Sequence, residues 1–265
     1  MPLIPDRQGR GFRLQVGLVW LALLATFVAF VGHFDLDLGI VRDRLPGLFG
    51  MERNPDGDLQ GVPLTLLVSA GAMVCALLLG LVAALGKISG NPLAYGLATF
   101  YNSFFRGTPL LVQILLIYLG LPQLGPVPAA IPAGIAALAL CYGAYLSEIF
   151  RAAIEAVDRG QWEAAEALGM SRAGVLWRVV LPQALKTSIP PVGAMFISML
   201  KDSSLVSVMG SWEIMFLAQS YGRASYRYVE MLLTAAVIYW VLSIMLEFLQ
   251  ALLERRLRLA RHEHH

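Results

Sequence analysis

Four consecutive polar residues, Lys201-Asp202-Ser203-Ser204, follow a stretch, 189–200, that is apolar but for Ser198 and precede more apolar positions, so they are where this sequence places chemistry inside an otherwise hydrophobic run. A lysine ammonium can receive a carboxylate, and serine hydroxyls can replace part of a ligand's hydration shell. A second reading is equally open: Lys201 and Asp202 as a mutually neutralising pair that only stabilises packing, since adjacent helical residues point about 100° apart and cannot both face one path. Arg106, two residues before Thr108-Pro109, poses the same choice between a cation for a substrate carboxylate and a structural pin at a kink, and the pin is the plainer reading.

Other constellations fail on inspection. Gly80-Leu-Val-Ala-Ala-Leu-Gly86-Lys87-Ile88-Ser89 imitates a phosphate-binding loop, but five residues separate the glycines where four are needed, and Ile follows the lysine where Ser or Thr is needed. No ATP site is expected on this chain. Cys75 and Cys141 both lie inside apolar runs and read as small buried hydrophobes. The histidines are His33 and the terminal His262, His264 and His265, the last three reading as a solvated tail, so no metal site is expected.

The elements that position these residues follow from composition. The chain has 265 residues, 57% hydrophobic and 14% charged, with a net charge of only +2 and a mean hydropathy of +0.66. A soluble domain carries roughly 25% charged residues, so a cytosolic enzyme and a disordered chain are both excluded. The expectation is an all-α, polytopic membrane protein of about six transmembrane helices. Apolar runs lie at roughly 16–32, 62–85, 95–121, 129–150, 189–217 and 229–253. The fifth is short if it stops before Lys201, and continuing it to about residue 217 puts the polar quartet inside the membrane, where such groups face a cavity or a partner.

Six spans put both termini on one side. With that side cytoplasmic, the inner segments hold Arg7, Arg10, Arg13, Lys87, Arg151, Arg159, Arg172, Arg178, Lys186, Arg255, Arg256, Arg258 and Arg261, against Arg42, Arg44, Arg53, Arg223 and Arg227 outside. The asymmetry supports that orientation by the positive-inside rule. Residues 33–60, acidic and broken by Pro46 and Pro55, read as an exposed outer loop with one short interfacial helix. The aromatics from Trp212 to Trp240 read as an interfacial belt, and the arginines after Glu254 as a charge anchor.

The inner segment between the fourth and fifth spans is the most informative. It reads Asp158-Arg-Gly-Gln-Trp-Glu-Ala-Ala-Glu-Ala-Leu-Gly169-Met-Ser171-Arg-Ala-Gly-Val-Leu-Trp-Arg-Val-Val-Leu-Pro182. Asp158 caps a short helix, Gly169 supplies a left-handed stop, and Ser171 caps a second helix that Pro182 bounds. Ala164 and Ala165 give the first helix a shallow face that a partner can approach. A DNA-binding helix-turn-helix is imitated by Ala-x-x-Leu-Gly-x-Ser with Arg172 and Arg178, but spans begin within a few residues on either side and leave no third helix for its core. Nucleic acid is not an expected partner.

Glu163-Ala164-Ala165, Gly169 and Val179-x-Leu181-Pro182, in that spacing, resemble the EAA loop of ATP-binding-cassette importer permeases, with Val179 replacing the usual Ile. Arg106-Gly-Thr-Pro-Leu-Leu-Val-Gln113, Ala144-Tyr-Leu-Ser-Glu-Ile-Phe-Arg151, Gly160-Gln-Trp-Glu-Ala-Ala, Leu181-Pro-Gln-Ala-Leu185 and Lys201-Asp-Ser-Ser-Leu-Val-Ser207 resemble the polar-amino-acid uptake branch, similar to histidine, glutamine and glutamate permeases. The resemblance covers about residues 57–253 and implies a five-helix permease core plus an extra N-terminal helix. It divides the chain into 1–56 (inner N-terminus, first span and outer loop), 57–253 (permease domain with coupling loop 158–182) and a basic tail, 254–265.

The resemblance further implies a non-enzymatic subunit in a bacterial cytoplasmic (inner) membrane. Its partners are a dimer of ATPase subunits holding ATP and Mg, a second permease chain, identical or paralogous, and an extracytoplasmic amino-acid-binding protein. Glu163, Ala164, Ala165 and Gly169 take the ATPase-coupling role, and Lys201, Asp202, Ser203, Ser204, Arg106 and Thr108 are candidates for the substrate path. The rival class is an ion-coupled secondary transporter or channel, which usually shows paired broken helices in two repeats and carboxylates deep in the membrane. One broken helix and no obvious repeat are visible here.

Overall fold

The computed structural model describes residues 10–34 and 36–262. Arg7, His264 and His265 lie outside the described residues. Within them the secondary structure is helical, and five helices are long and apolar enough to cross a membrane: Leu14–Val31, Gly61–Ile88, Ala130–Glu155, Arg172–Met209 and Tyr228–Arg256. A sixth span exists if the bent pair Pro92–Gly107 and Leu110–Leu124 is counted as one, which gives the all-α, polytopic architecture expected from composition.

The elements are α1 (Arg10–Val31), α2 (Leu38–Leu48), α3 (Gly61–Ile88), α4 (Pro92–Gly107), α5 (Leu110–Leu115), α6 (Ala130–Glu155), α7 (Arg159–Ala167), α8 (Arg172–Val175), α9 (Leu181–Asp202), α10 (Ile214–Ser225) and α11 (Tyr228–His262). Helices α3 and α6 run side by side in one direction. Gly80 and Gly143 allow it: a Cβ on Gly80 would lie 2.8 Å from Leu146 Cβ, and one on Gly143 3.0 Å from Leu79 Cβ. With α9 they enclose the main apolar core, around Val68, Ala72, Leu138, Leu146 and Met199.

Two smaller cores cap its ends. At one, α2, α10 and α11 bury Leu48, Ile214, Leu217 and Met231, and Gly61 joins α2 to α3 with φ +62°. A Cβ there would lie 2.1 Å from Leu48 O, so only glycine fits. At the other, Ile154, Ala165, Val175, Val180 and Leu181 join the ends of the spans to α7 and α8. The expected short helix of the acidic stretch is α2, capped by Asp37, whose carboxylate accepts from Gly39 N at 2.8 Å.

Three expectations need correction. The apolar run 95–121 is not one helix, because α4 and α5 meet at 107°. Pro109 offers no N–H and forces Thr108 into extended geometry (φ −114°, ψ 145°), and the loosened α4 end is satisfied by side chains. Pro182 does not bound the second loop helix. A widened π turn over Leu176–Val180 precedes it and Pro182 enters the first turn of α9, where its missing N–H costs little, so the chain is helical from Arg172 to Met209. The helix that carries the fifth span therefore begins well before residue 189. It also stops short of 217: residues Ser203–Met209 tighten into a 3-10 turn and Gly210 ends it with φ +79°.

Candidate functional site

The loop 158–182 forms a small unit at the common end of α3 and α6. Asp158 accepts from Gly160 N at 2.7 Å and starts α7. The helix ends at Gly169, φ +80°, where Gly169 N donates to Glu166 O at 2.9 Å and Met170 N to Ala165 O at 3.2 Å. Ser171 Oγ accepts from Gly174 N at 3.2 Å and starts the second helix, as its position implied. Spacing by three and four then sorts the faces. Trp162 and Ala165 turn inward onto Ile154, Val175 and Val180, whereas Glu163, Ala164 and Leu168 face outward, Leu168 being 85% exposed. Ala165 thus packs against its own chain, and the surface open to a partner is carried by Glu163, Ala164, Leu168 and Gly169.

The other candidate residues lie in the spans. Lys201 is exposed, and no acidic side chain lies within 4.0 Å of its ammonium among the described residues. The Lys201–Asp202 pair of the packing reading does not form, because Asp202 Oδ2 turns to the Tyr142 hydroxyl, which donates to it at 2.7 Å. Ser203 is buried and its hydroxyl donates to Leu200 O at 2.7 Å, one turn back, so that hydroxyl is committed to the helix; Ser204 is half-buried. Lys201, Asp202 and Ser204 are therefore the members of the quartet with open or cross-helix polar groups.

Arg106 reaches Glu148 (Nη1–Oε1 3.4 Å) and lies 5.4 Å from the Tyr145 ring centre. Glu148 is the centre of a larger cluster: Lys87 donates to Oε1, Asn102 Nδ2 donates to the same oxygen at 2.8 Å, and Arg151 Nε donates to Oε2 at 2.9 Å. Ser147 Oγ donates to Asn102 Oδ1 at 2.8 Å. Thr108 donates its hydroxyl to Phe104 O at 2.9 Å and accepts from Gln113 Nε2 at 2.9 Å, while the same Gln113 nitrogen donates to Phe105 O at 2.9 Å. Thr108 and Gln113 therefore hold the break between α4 and α5 together.

Sequence reasoning missed Tyr142, Gln113 and the convergence on Glu148. Only Glu148 with Arg151, three apart on one helix, left a local signal; Lys87 and Asn102 come from 61 and 46 residues away. Outside the spans, Glu213 was also missed. It caps α10 by accepting from Phe216 N at 2.7 Å and Met215 N at 2.9 Å, and Tyr239 Oη donates to it at 2.7 Å. Burial pushes its carboxyl up from an ordinary 4.5 to about 7, against these three donors. The phosphate-loop imitation at Gly80–Ser89 is the interior and end of α3.

Residues 76–259 match the family model of the binding-protein-dependent transport system inner membrane component. The chain is 42% identical over 200 residues to the probable amino-acid permease protein YxeN of Bacillus subtilis (strain 168), covering 74% of this chain and 89% of that protein. It is 41% identical over 201 residues to the arginine transport system permease protein ArtQ of the same organism, covering 76% and 92%. A crystal structure of an amino acid ABC transporter with histidines superposes with TM-score 0.74 at 39% identity, over 84% of this chain and 100% of that one. The MetNI methionine ABC transporter in an inward-facing conformation shares the fold at TM-score 0.62 and 18% identity, over 74% and 92%. A chain matched by the family model over most of its length, with a capped helical knob at one end of a polytopic helix bundle, belongs to the family of binding-protein-dependent transport system inner membrane components.

Proposed function

We propose that this chain is the transmembrane permease subunit of an ATP-driven ABC importer for polar amino acids, forming the translocation path and coupling it to a separate ATPase. The observation that carries the reading is α7: a short helix closed by Gly169, presenting Glu163, Ala164 and Leu168 beyond the ends of the spans, in a chain about 40% identical to amino-acid permeases. A helix held by its inner face to the core and bare on its outer face can transmit a push from an ATPase groove to α6 and α9. ATP and Mg then act on a dimer of ATPase subunits, and this chain supplies no catalytic group.

The path is formed with a second permease chain, identical or paralogous, and an extracytoplasmic amino-acid-binding protein delivers the substrate. Lys201, with no carboxylate within 4.0 Å among the described residues and exposed on the chain's surface, suits a substrate carboxylate. Asp202 is held ready by Tyr142, and Arg106 and Thr108 frame the break between α4 and α5. Switching requires that substrate and ATP bind the inward- and outward-open states unequally.

The chain lies in the bacterial cytoplasmic membrane with both termini and α7 inside, as the charge asymmetry supports. Single cysteines at Arg53, Arg172 and Arg255, in a background lacking Cys75 and Cys141, test this with an impermeant maleimide on intact cells. Labelling is expected at position 53 alone, and outside labelling at position 172 would overturn the orientation and the coupling role with it. Amino-acid uptake into vesicles holding the assembled complex, dependent on internal ATP and on the binding protein rather than on an ion gradient, is the matching functional outcome.

A further inference from the structure

A cavity of about 680 Å3 opens beside the coupling unit, between the ends of α3 and α6 and the elements α7 and α8, and the assigned roles leave it unused. Its apolar lining includes the half-buried Leu85, Ile88, Val157 and Leu176, and it also carries two tryptophans, Trp162 and Trp177, and two arginines, Arg159 and Arg172. Arg159 has no acidic partner among the described residues. Arg172 is 93% exposed and its only carboxylate, among those residues, is Glu166 at 3.7 Å. Glu155, the one acid on the lining, is held by Arg151 Nη1 at 2.6 Å, so it offsets little of the positive field.

We propose that this cavity binds an anionic phospholipid of the cytoplasmic leaflet, with its phosphate between Arg159 and Arg172 and its glycerol and upper acyl chains on Ile88 and Val157. The composition asks for an amphipathic ligand: a soluble anion leaves the apolar lining wet, and an apolar ligand leaves two guanidiniums facing it. Depth agrees, because Ile88 and Glu155 are the last residues of α3 and α6, at the level of the headgroups, where tryptophan also concentrates. Arginine forks match phosphate oxygens in pairs. The volume is within the range of roughly 300–1,000 Å3 typical of small-molecule sites. Because Arg159 and Trp162 belong to α7, a bound lipid joins the coupling helix to the spans and tunes how ATPase movement reaches them. The inference rests on the orientation proposed above, which the maleimide experiment tests separately.

The test uses the complete importer, purified with its ATPase, in nanodiscs of phosphatidylcholine containing graded phosphatidylglycerol. Native mass spectrometry counts retained phosphatidylglycerol, and ATP turnover is measured on the same samples. The wild-type complex should retain one phosphatidylglycerol per permease chain. Arg159→Gln with Arg172→Gln should lose it and need on the order of thirtyfold more phosphatidylglycerol for equal stimulation, at roughly fivefold per arginine. Arg159→Lys with Arg172→Lys, which keeps the charge without the fork, should restore part of the retention, and Arg178→Gln, a charge loss on an exposed residue outside the cavity, should leave it unchanged. Retention in the double glutamine variant, absence of bound lipid in the wild type, or equal loss in Arg178→Gln would each overturn the assignment. Displacement of the lipid by millimolar glycerol phosphate would overturn it too, in favour of a soluble anion.

Discussion

Lys201 and Asp202 differ by one position and about 100° of helix, and that angle gives Asp202 to Tyr142 while leaving Lys201 exposed. Lys201→Met should therefore leave the melting temperature of the assembled complex nearly unchanged. If its ammonium holds a substrate carboxylate, worth about 1.5–3 kcal/mol as a charge-assisted hydrogen bond, half-saturation in uptake should rise tenfold or more. Uptake kinetics and melting on one reconstituted sample check both halves, and an unchanged half-saturation would remove Lys201 from the path. Glu213 makes a different prediction. Its folded-state carboxyl titrates near 7 and its unfolded one near 4.5, so the fold binds the proton more tightly. The stability this contributes is complete below about pH 4.5, falls as pH rises towards 7, and is lost above it. Melting temperatures from pH 5 to 8 should show that decline, and Glu213→Gln should flatten it.

At the scale of elements, α7 is a helix whose two faces are separately testable. Ala165 is 6% exposed against Val175 and Val180, whereas Ala164 is exposed. Ala165→Trp overpacks that small core, at about 1–3 kcal/mol, and should lower the melting temperature of the permease even without its ATPase. Ala164→Trp should leave the isolated permease intact and reduce the ATPase retained on purification and its stimulated turnover. Equal ATPase retention in Ala164→Trp and wild type would move the contact elsewhere. Two prolines show how much a neighbouring turn matters. Pro109 breaks the chain by 107°, with Gln113 and Thr108 satisfying the exposed α4 carbonyls, while Pro182 passes unnoticed behind a π turn.

For the whole molecule, the bundle is organised around α3, α6 and α9, and α1 stands apart. None of its spanning window is buried, and Phe27 and Val31 line an apolar cavity together with residues of α2 and α11. An apolar helix with no packed face contributes little to folding in lipid, where association rests on close packing and hydrogen bonds. Deleting residues 1–32 behind a cleavable signal sequence, which preserves the side on which α2 lies, should shift the melting temperature of the complex by no more than about 2 °C and keep ATPase coupling. A collapse of the complex would show that α1 is held by a partner subunit.

What the sequence determined by itself was whatever depends on local composition and spacing. Apolar runs of span length needed lipid, the arginine imbalance supported an orientation, and Asp158, Gly169 and Ser171 marked the caps and stop of the loop 158–182 where the structure places them. These features depend on residues within a turn or two of one another, so a linear reading reaches them. Tertiary structure decided the rest. Whether Ala165 faced a partner or its own core depended on Val175 and Val180 folding back beneath it, and whether Asp202 paired with Lys201 depended on a tyrosine 60 residues away. Glu148 became a hub only because α3, α4 and α6 bring Lys87, Asn102, Arg106 and Arg151 to one carboxylate. A buried polar group takes the partners that reach it in space, and the chain's order does not record that distance.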